Sequence, residues 1–395
     1  MRALTGSPRD YAWGSPTVIP EFLGASATDR PVAELWFGAH PSAPSVLADD
    51  GELRTHLAGD PSRILGLDIV ARFGPTLPYL LKVIAPVRPL SLQVHPDLNQ
   101  AQAGHAREQA AGVDPLLRTY ADANHKPELV YALTDFEAVS GFRAPRRAAE
   151  LLKGLDTPLA EVMRGHLQAS PTASGVREAF THLLVHGSDG ATSAVEETAA
   201  ACVARLGDGR SPSERTDTIV ANLSAAYPGD PGSVAALLLN PVTLHPGEAM
   251  FVPAGGVHAY LSGFAVELMA NSDNVLRAGL TPKRVDIPEV LATIDWVAAP
   301  PIRIAPEMFD ECTGVYYAPV DDFELSVATL DGEHRRRIPG RGPRLLLCLD
   351  GEVAVTSDVD PAGLTVTRGQ CVFVAADEGA VRLSGTGRLA QAGVP

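Results

Sequence analysis

The stretch His245-Pro246-Gly247-Glu248-Ala249-Met250-Phe251-Val252-Pro253-Ala254-Gly255-Gly256-Val257-His258-Ala259-Tyr260 decides the fold. Two short apolar runs, Ala249 to Val252 and Val257 onward, are separated by Pro253-Ala254-Gly255-Gly256, a turn-forming cluster that breaks regular structure. Pro246-Gly247 supplies a second turn just upstream. Val242 to Leu244 before this stretch and Phe264 to Leu268 after it read as two more short strands. Strands spaced this densely predict an antiparallel barrel or jelly roll rather than a parallel α/β sheet.

The same texture extends outward. Residues 1 to about 143 read as β-rich, with Pro and Gly punctuating short runs such as Thr17-Val18-Ile19-Pro20 and Tyr79-Leu80-Leu81-Lys82-Val83-Ile84. A helical patch covers Asn99 to Ala111. From 144 to 226 Ala, Leu, Glu and Arg dominate. Leu151, Leu152, Leu155, Leu159 and Val162 fit one face of a helix or two, and Pro145, Pro158 and Pro171 are placed to start helices. Beyond 300, Arg344 to Leu349 and Gln370 to Val374 are strand candidates, and Asp350-Gly351 between apolar runs is a hairpin signal. Pro300-Pro301 and Pro306 mark a linker at about 293–307. The expected fold class is therefore mainly β with a helical insertion. Residues 1–143 and 227–298 are expected to form one discontinuous jelly roll, 144–226 the helical insertion, and 299–395 a second, jelly-roll-like β domain.

The chain has 395 residues, enough for two or three domains, with 45% hydrophobic and 20% charged residues. Its formal net charge of −15 argues against nucleic-acid and anionic-membrane partners, which need basic surfaces. An anionic substrate would require a local basic cluster inside an acidic body. Cys202, Cys312, Cys348 and Cys371 are scattered without a CxxC pair, which points to a reducing compartment and against thiolate zinc. The N-terminus has no apolar signal region, and no stretch approaches 18 apolar residues. A cytoplasmic location is expected, and a monomer, because jelly-roll domains need no partner to bury their cores.

Four clusters carry chemistry. In Pro89-Leu90-Ser91-Leu92-Gln93-Val94-His95-Pro96, strand alternation places Ser91, Gln93 and His95 on one face and Leu92 and Val94 on the other. Such a polar row converges on a metal or faces water on a half-exposed strand. Asn124-His125-Lys126-Pro127-Glu128 presents an imidazole, an amine and a carboxylate on a Pro-stiffened loop, or is a charged surface turn. His258 starts a strand after a Gly-rich turn, where it points inward to a metal or packs as a core histidine; His245 is the weaker candidate. Between Glu267 and Lys283, Asp273 and Asn274 precede Arg277, an arrangement also consistent with a salt-bridged loop. Together these supply one amide, two imidazoles and one carboxylate, with Lys82, Lys126, Arg277 and Lys283 as the required basic cluster.

Trp13-Gly14-Ser15, Ala33-Glu34-Leu35-Trp36-Phe37-Gly38-Ala39-His40-Pro41, Leu80-Leu81-Lys82-Val83-Ile84, the Pro89–Pro96 and Asn124–Glu128 segments, and Arg277-Ala278-Gly279-Leu280-Thr281-Pro282-Lys283 run in one order. In this the chain resembles the type I phosphomannose isomerases. The resemblance implies a cupin-type jelly roll with a helical insertion and a second β domain. It implies one zinc ion per chain, held by Gln93, His95, Glu128 and His258, with Arg277 as a catalytic residue. It further implies that Ser91, Lys82 and Lys283 hold a phosphate and that Lys126, His125, Glu267, Tyr260 and Asp273 line the pocket. Phe37 and Ser140 depart from residues common in the family, and neither is expected to touch a ligand. The block after 300 carries no family motif. The activity implied is interconversion of mannose 6-phosphate and fructose 6-phosphate through a cis-enediol(ate). Lys126 is the candidate base, with Glu267, His125 and a metal-bound water as rivals. The competing readings are a cupin metal-dependent oxygenase and a non-catalytic sugar-phosphate-binding cupin.

Overall fold

Two antiparallel sheets face each other around the site. The first has seven strands in the order Ile302–Ile304, Ala249–Val252, Glu128–Ala132, Ala265–Ala270, Tyr79–Ile84, Glu34–Phe37 and Ser7–Arg9. The second has five: Leu239–Leu244, Phe136–Phe142, His258–Ser262, Leu92–Val94 and Leu276–Gly279. The computed structural model describes the whole chain apart from residues 189–191 and Glu333.

The period of two decides what each strand sends where. In the seven-stranded sheet Leu35, Phe37, Leu81, Val83, Leu129, Tyr131, Val266 and Leu268 share one apolar cluster with Phe323, Leu345, Phe373 and Ala392 of the C-terminal block. In the five-stranded sheet Leu92, Val94, Val139, Ala259, Leu276 and Ala278 pack with Leu151, Phe180 and Leu223 of the helices. The intervening residues of both sheets turn toward each other: Ile84, Val130, Ala138, Val242 and Tyr260 close one end of the space between the sheets. The polar intervening residues occupy the rest. Both sheets are thus covered on their outer faces, which is why strands such as Tyr79–Ile84 are buried at every position.

The helices run from Pro145–Leu152 to Pro231–Ala235, and prolines stand at the first turn of Pro145–Leu152, Pro158–Ala169 and Pro231–Ala235. Pro171 does not start a helix; the next one is Ala173–Ser188. Leu151, Leu152, Leu155 and Leu159 are buried, whereas Val162 is 41% exposed. The C-terminal block supplies eight strands, built on Arg341–Ser357 and Val381–Val394, to an eleven-stranded sheet completed by Arg2–Thr5, Val46–Leu47 and Gly51–Glu52.

Other expectations change as well. Thr17-Val18-Ile19-Pro20 lies at the start of a helix, Val18–Phe22, because Ser15 caps the turn by accepting from the backbone of Thr17 and Val18. Asp350-Gly351 makes no hairpin: Arg341–Ser357 continues through it and pairs with Val381–Val394 on both sides, with a register shift between Cys348 and Asp350. Gly351 has φ +76°, and a Cβ there would meet the Thr386 carbonyl at 2.1 Å, so the pair bends the ladder instead of reversing it. The proline-marked segment after 293 supplies the edge strand Ile302–Ile304, paired with Ala249–Phe251. Arg2–Leu4, at the N-terminus, pairs with Cys371–Phe373 of the C-terminal block.

Leu92 is fully buried between the sheet and the helices while its neighbours Ser91 and Gln93 face the site. Leu92→Ala is expected to cost about 2–5 kcal/mol, read as a lower urea midpoint. An unchanged midpoint would mean that the helices do not depend on this face.

Candidate active site

Register builds the site as two facing rows. In the five-stranded sheet Arg277 is the cross-strand partner of Gln93, Gln93 of His258, and His258 of Ser140. His95 lies two positions beyond Gln93. In the seven-stranded sheet Trp36 is the partner of Lys82, Lys82 of Glu267, and Met269 of Glu128.

Glu128 is the meeting point. Its Oε1 lies 3.3 Å from His95 Nε2 and 3.1 Å from Lys126 Nζ, and its Oε2 lies 3.2 Å from His258 Nε2. The Tyr260 hydroxyl donates to Oε2 at 3.1 Å. All five residues are buried, with both imidazoles at 0% exposure. His95 Nδ1 is 2.7 Å from the Asn274 carbonyl and His258 Nδ1 is 3.0 Å from the Gly256 carbonyl. Each Nδ1 therefore carries the proton and each Nε2 presents a lone pair. Neither Nε2 has a hydrogen-bond partner, although both are fully buried. Unpaired buried acceptors are costly. Here they converge, with the Glu128 carboxylate, on one point: the ligand atoms lie within 4.8 Å of one another. Nitrogen and oxygen donors in this number fit a zinc-type cation.

The electrostatics support that fit. Burial and the Lys126 ammonium push His95 down to about 4, so its imidazole is neutral and able to ligate. Burial alone would raise Glu128, but the Lys126 ammonium outweighs it and holds the carboxyl well below its usual range. Lys82 is opposed by burial yet raised by Glu267, Glu34 and Glu128; its Nζ lies 3.1 Å from Glu267 and 3.7 Å from Glu34. It stays an ammonium. Burial raises Glu267, against the pull of Lys82. Burial and the nearby carboxylates raise the Tyr260 phenol well above its usual range, which keeps it a donor.

A cavity of about 840 Å³ opens above this cluster, the size of a small-molecule pocket. Its lining includes Gln93, Lys126, Tyr260, Glu267, Ser91, Asp273, Arg277 and Lys283 of the expected residues, together with Ala225, Ala226 and Tyr227 from the helices. Ser91 is half-buried and Lys283 exposed. The Asp273 carboxylate is 45% exposed and lies 3.5 Å from the buried imidazole of His40. Lys82 lines the same cavity, but its charge is matched by carboxylates at the metal end, not left for a phosphate. His125 turns away from the cavity: its Nε2 lies 3.0 Å from Asp322 of the C-terminal block, on the opposite side of the loop from Lys126. His245 is exposed beside Asp135, outside the site. Ser140, expected to stand clear of the ligands, is the cross-strand neighbour of His258. The alternative of a salt-bridged loop is not met at Arg277 among the described residues; burial lowers its pKa and Tyr11 opposes the shift.

Several residues of the site were not assigned a role from sequence. Glu34 and Trp36 face inward, with the indole donating to the Glu34 carboxylate, and alternate with the outward Leu35 and Phe37. That alternation was legible. Asp122 was not. Its carboxylate accepts from the Asn124 and Asp273 backbones and from the Ser272 hydroxyl, while Asn274 donates to the carbonyls of Asp122 and Asn124. This network ties the loop bearing Lys126 to the carbonyl that orients His95, and no local pattern reports a contact across some 150 residues.

Residues 1–145 match the family described as phosphomannose isomerase type I, catalytic domain. The chain is 39% identical over 405 residues to mannose-6-phosphate isomerase of Salmonella typhimurium, covering 99% of each chain, and 38% identical over 399 residues to that of Escherichia coli K12. A crystal structure of mannose 6-phosphate isomerase bound with zinc and yttrium superposes with a TM-score of 0.89 at 38% identity, covering 100% of this chain and 99% of that one. The matched segments, the two-sheet architecture and the full-length likeness agree, and the chain belongs to the type I phosphomannose isomerase family.

Proposed function

We propose that this chain interconverts D-mannose 6-phosphate and D-fructose 6-phosphate with one zinc ion held by Gln93, His95, Glu128 and His258. The observation that carries the reading is the pair of buried, unpartnered imidazole nitrogens aimed at a buried carboxylate beneath a sugar-sized cavity. Bound zinc supplies a Lewis acid that polarises the sugar carbonyl and has no redox chemistry of its own.

The chain's residues do the rest. Lys126 Nζ, acting as the free amine, takes the proton from one of C1 and C2 and returns it to the other. Lys82 and Glu267 form a fixed ion pair whose ammonium, kept charged, favours the developing enediolate oxygen. Arg277 extends the row of Gln93 and His258 and adds fixed donors to the same oxygen. Asp273 and Tyr260 orient the sugar and Glu128. Ser91 and Lys283 hold the phosphate at the far end. An oxygenase needs a metal with open positions but no cationic wall. A binding cupin needs no amine beside its metal ligands. Arg277, Lys283 and Lys126 favour the isomerase over both.

The reading extends to a monomer acting in the cytoplasm; no helix among the described residues is long and apolar enough to cross a membrane, and all four cysteines are free. It also assigns 144–226 as the helical wall of the pocket and 299–395 as the β block that backs the seven-stranded sheet and lends it the edge strand Ile302–Ile304.

His258→Ala is expected to bind zinc well below one ion per chain, measured by elemental analysis, and to lose turnover. Stoichiometric zinc in that variant would remove His258 from the ligand set. Lys126→Met should keep its zinc while kcat falls about 10²-fold or more. If it retains wild-type kcat and Glu267→Gln does not, the proton is carried by Glu267. Arg277→Ala should also keep its zinc, with kcat lowered about 10²–10³-fold. Normal turnover would take Arg277 out of the mechanism.

A further inference from the structure

The cations of the cavity fall into two groups. Lys82 and Lys126 are matched by Glu267, Glu34 and Glu128. Arg277, Lys283 and Arg88 line the same cavity with no ion-pair partner among the described residues. Lys283 is depressed chiefly by the like charge of Arg277, then by burial, so these two cations stand close together with nothing to neutralise them. In a chain of net charge −15, three cavity-lining cations with no ion-pair partner among the described residues suit an anion.

Arg88 is held in place by its backbone. Pro86 bridges to Gly14, and the Val87 and Arg88 amides donate to the Trp13 carbonyl at 3.0 and 3.3 Å. The Tyr227 hydroxyl donates to the Pro89 carbonyl at 2.8 Å, and the Leu90 amide donates to the Tyr260 carbonyl at 2.8 Å. Pro89 also biases Arg88 toward extended backbone. Every residue from Pro86 to Leu90 is thus fastened to a neighbouring element, while the guanidinium itself is left exposed in the cavity, three residues before Ser91. A mobile surface arginine would not need such an anchor. A guanidinium launched from a fixed backbone presents planar donors suited to a phosphate.

We infer that Arg88 is a further phosphate-binding residue of this cavity, acting with Ser91 and Lys283. This rests on the isomerase reading for its substrate but not for its anion. A hexose 6-phosphate is the ligand chemistry that suits a cavity lined both by a metal-binding cluster and by unmatched cations.

The test is Arg88→Gln in the zinc-loaded protein, with Arg88→Lys beside it and Arg177→Gln, on the exposed side of helix Ala173–Ser188, as a control for net charge. KM for mannose 6-phosphate and calorimetric affinity for inorganic phosphate are measured for each. Arg88→Gln should raise KM about fivefold or more, the scale of losing a charge-assisted hydrogen bond. Phosphate affinity should weaken in parallel, the effect should fall on KM rather than kcat, and Arg88→Lys should lie between the two. Arg177→Gln should match wild type. KM and phosphate affinity both unchanged in Arg88→Gln would overturn the assignment, as would a loss confined to kcat. If wild type fails to isomerise mannose 6-phosphate, phosphate calorimetry alone decides: weaker binding in Arg88→Gln keeps the anion site while the isomerase reading falls.

Discussion

The structure turns on one buried carboxylate. Glu128 is 2% exposed, and a lone ionised carboxylate at that depth is strongly unfavourable. It is kept charged by the Lys126 ammonium and the Tyr260 hydroxyl, beside two imidazoles whose other nitrogens are committed to backbone carbonyls. A cation between them satisfies the carboxylate and both orphaned nitrogens at once. Much of the surrounding architecture serves that point: the Gly-rich turn that supplies the Gly256 carbonyl, the loop network around Asp122, and the cross-strand row that sets Gln93 beside His258.

Such a cluster needs walls that do not relax. Two antiparallel sheets provide them because each is covered on its outer face, one by helices and the other by the C-terminal block. This gives the C-terminal block a physical task despite its lack of recognisable motifs. Phe323, Leu345 and Phe373 complete the core behind the strands that carry Lys82, Glu128 and Glu267. Asp322 of the same block also holds His125, next to Lys126 in sequence. The cations of the cavity then fall into two sets: Lys82 and Lys126 are matched by carboxylates, and Arg88, Arg277 and Lys283 have no ion-pair partner among the described residues.

The amino-acid sequence reported the parts of this plan that depend on local periodicity. Alternation in Ser91-Leu92-Gln93-Val94-His95 correctly separated the inward polar row from the outward Leu92 and Val94. Proline placement located two helix starts in the insertion. Where a residue's fate depended on distant partners, local pattern failed. His125 and Lys126 look equivalent in sequence, yet one faces Asp322 and the other Glu128. Lys82 resembles a free cation until Glu34 and Glu267 appear beside it from other strands. Asp350-Gly351 carries a hairpin signal, but a long partner strand with its own glycines at 385 and 387 let the ladder bend and continue. The linker suggested by Pro300-Pro301 became an edge strand, where proline is tolerated next to a short ladder.

The most direct test of this account is reconstitution of the metal-free protein. Zinc is titrated into the chelated chain while conversion of mannose 6-phosphate to fructose 6-phosphate is followed. Activity that rises linearly and saturates at one zinc per chain is the predicted result. Full activity in the metal-free protein, or no activity in a folded chain carrying one zinc, would contradict it.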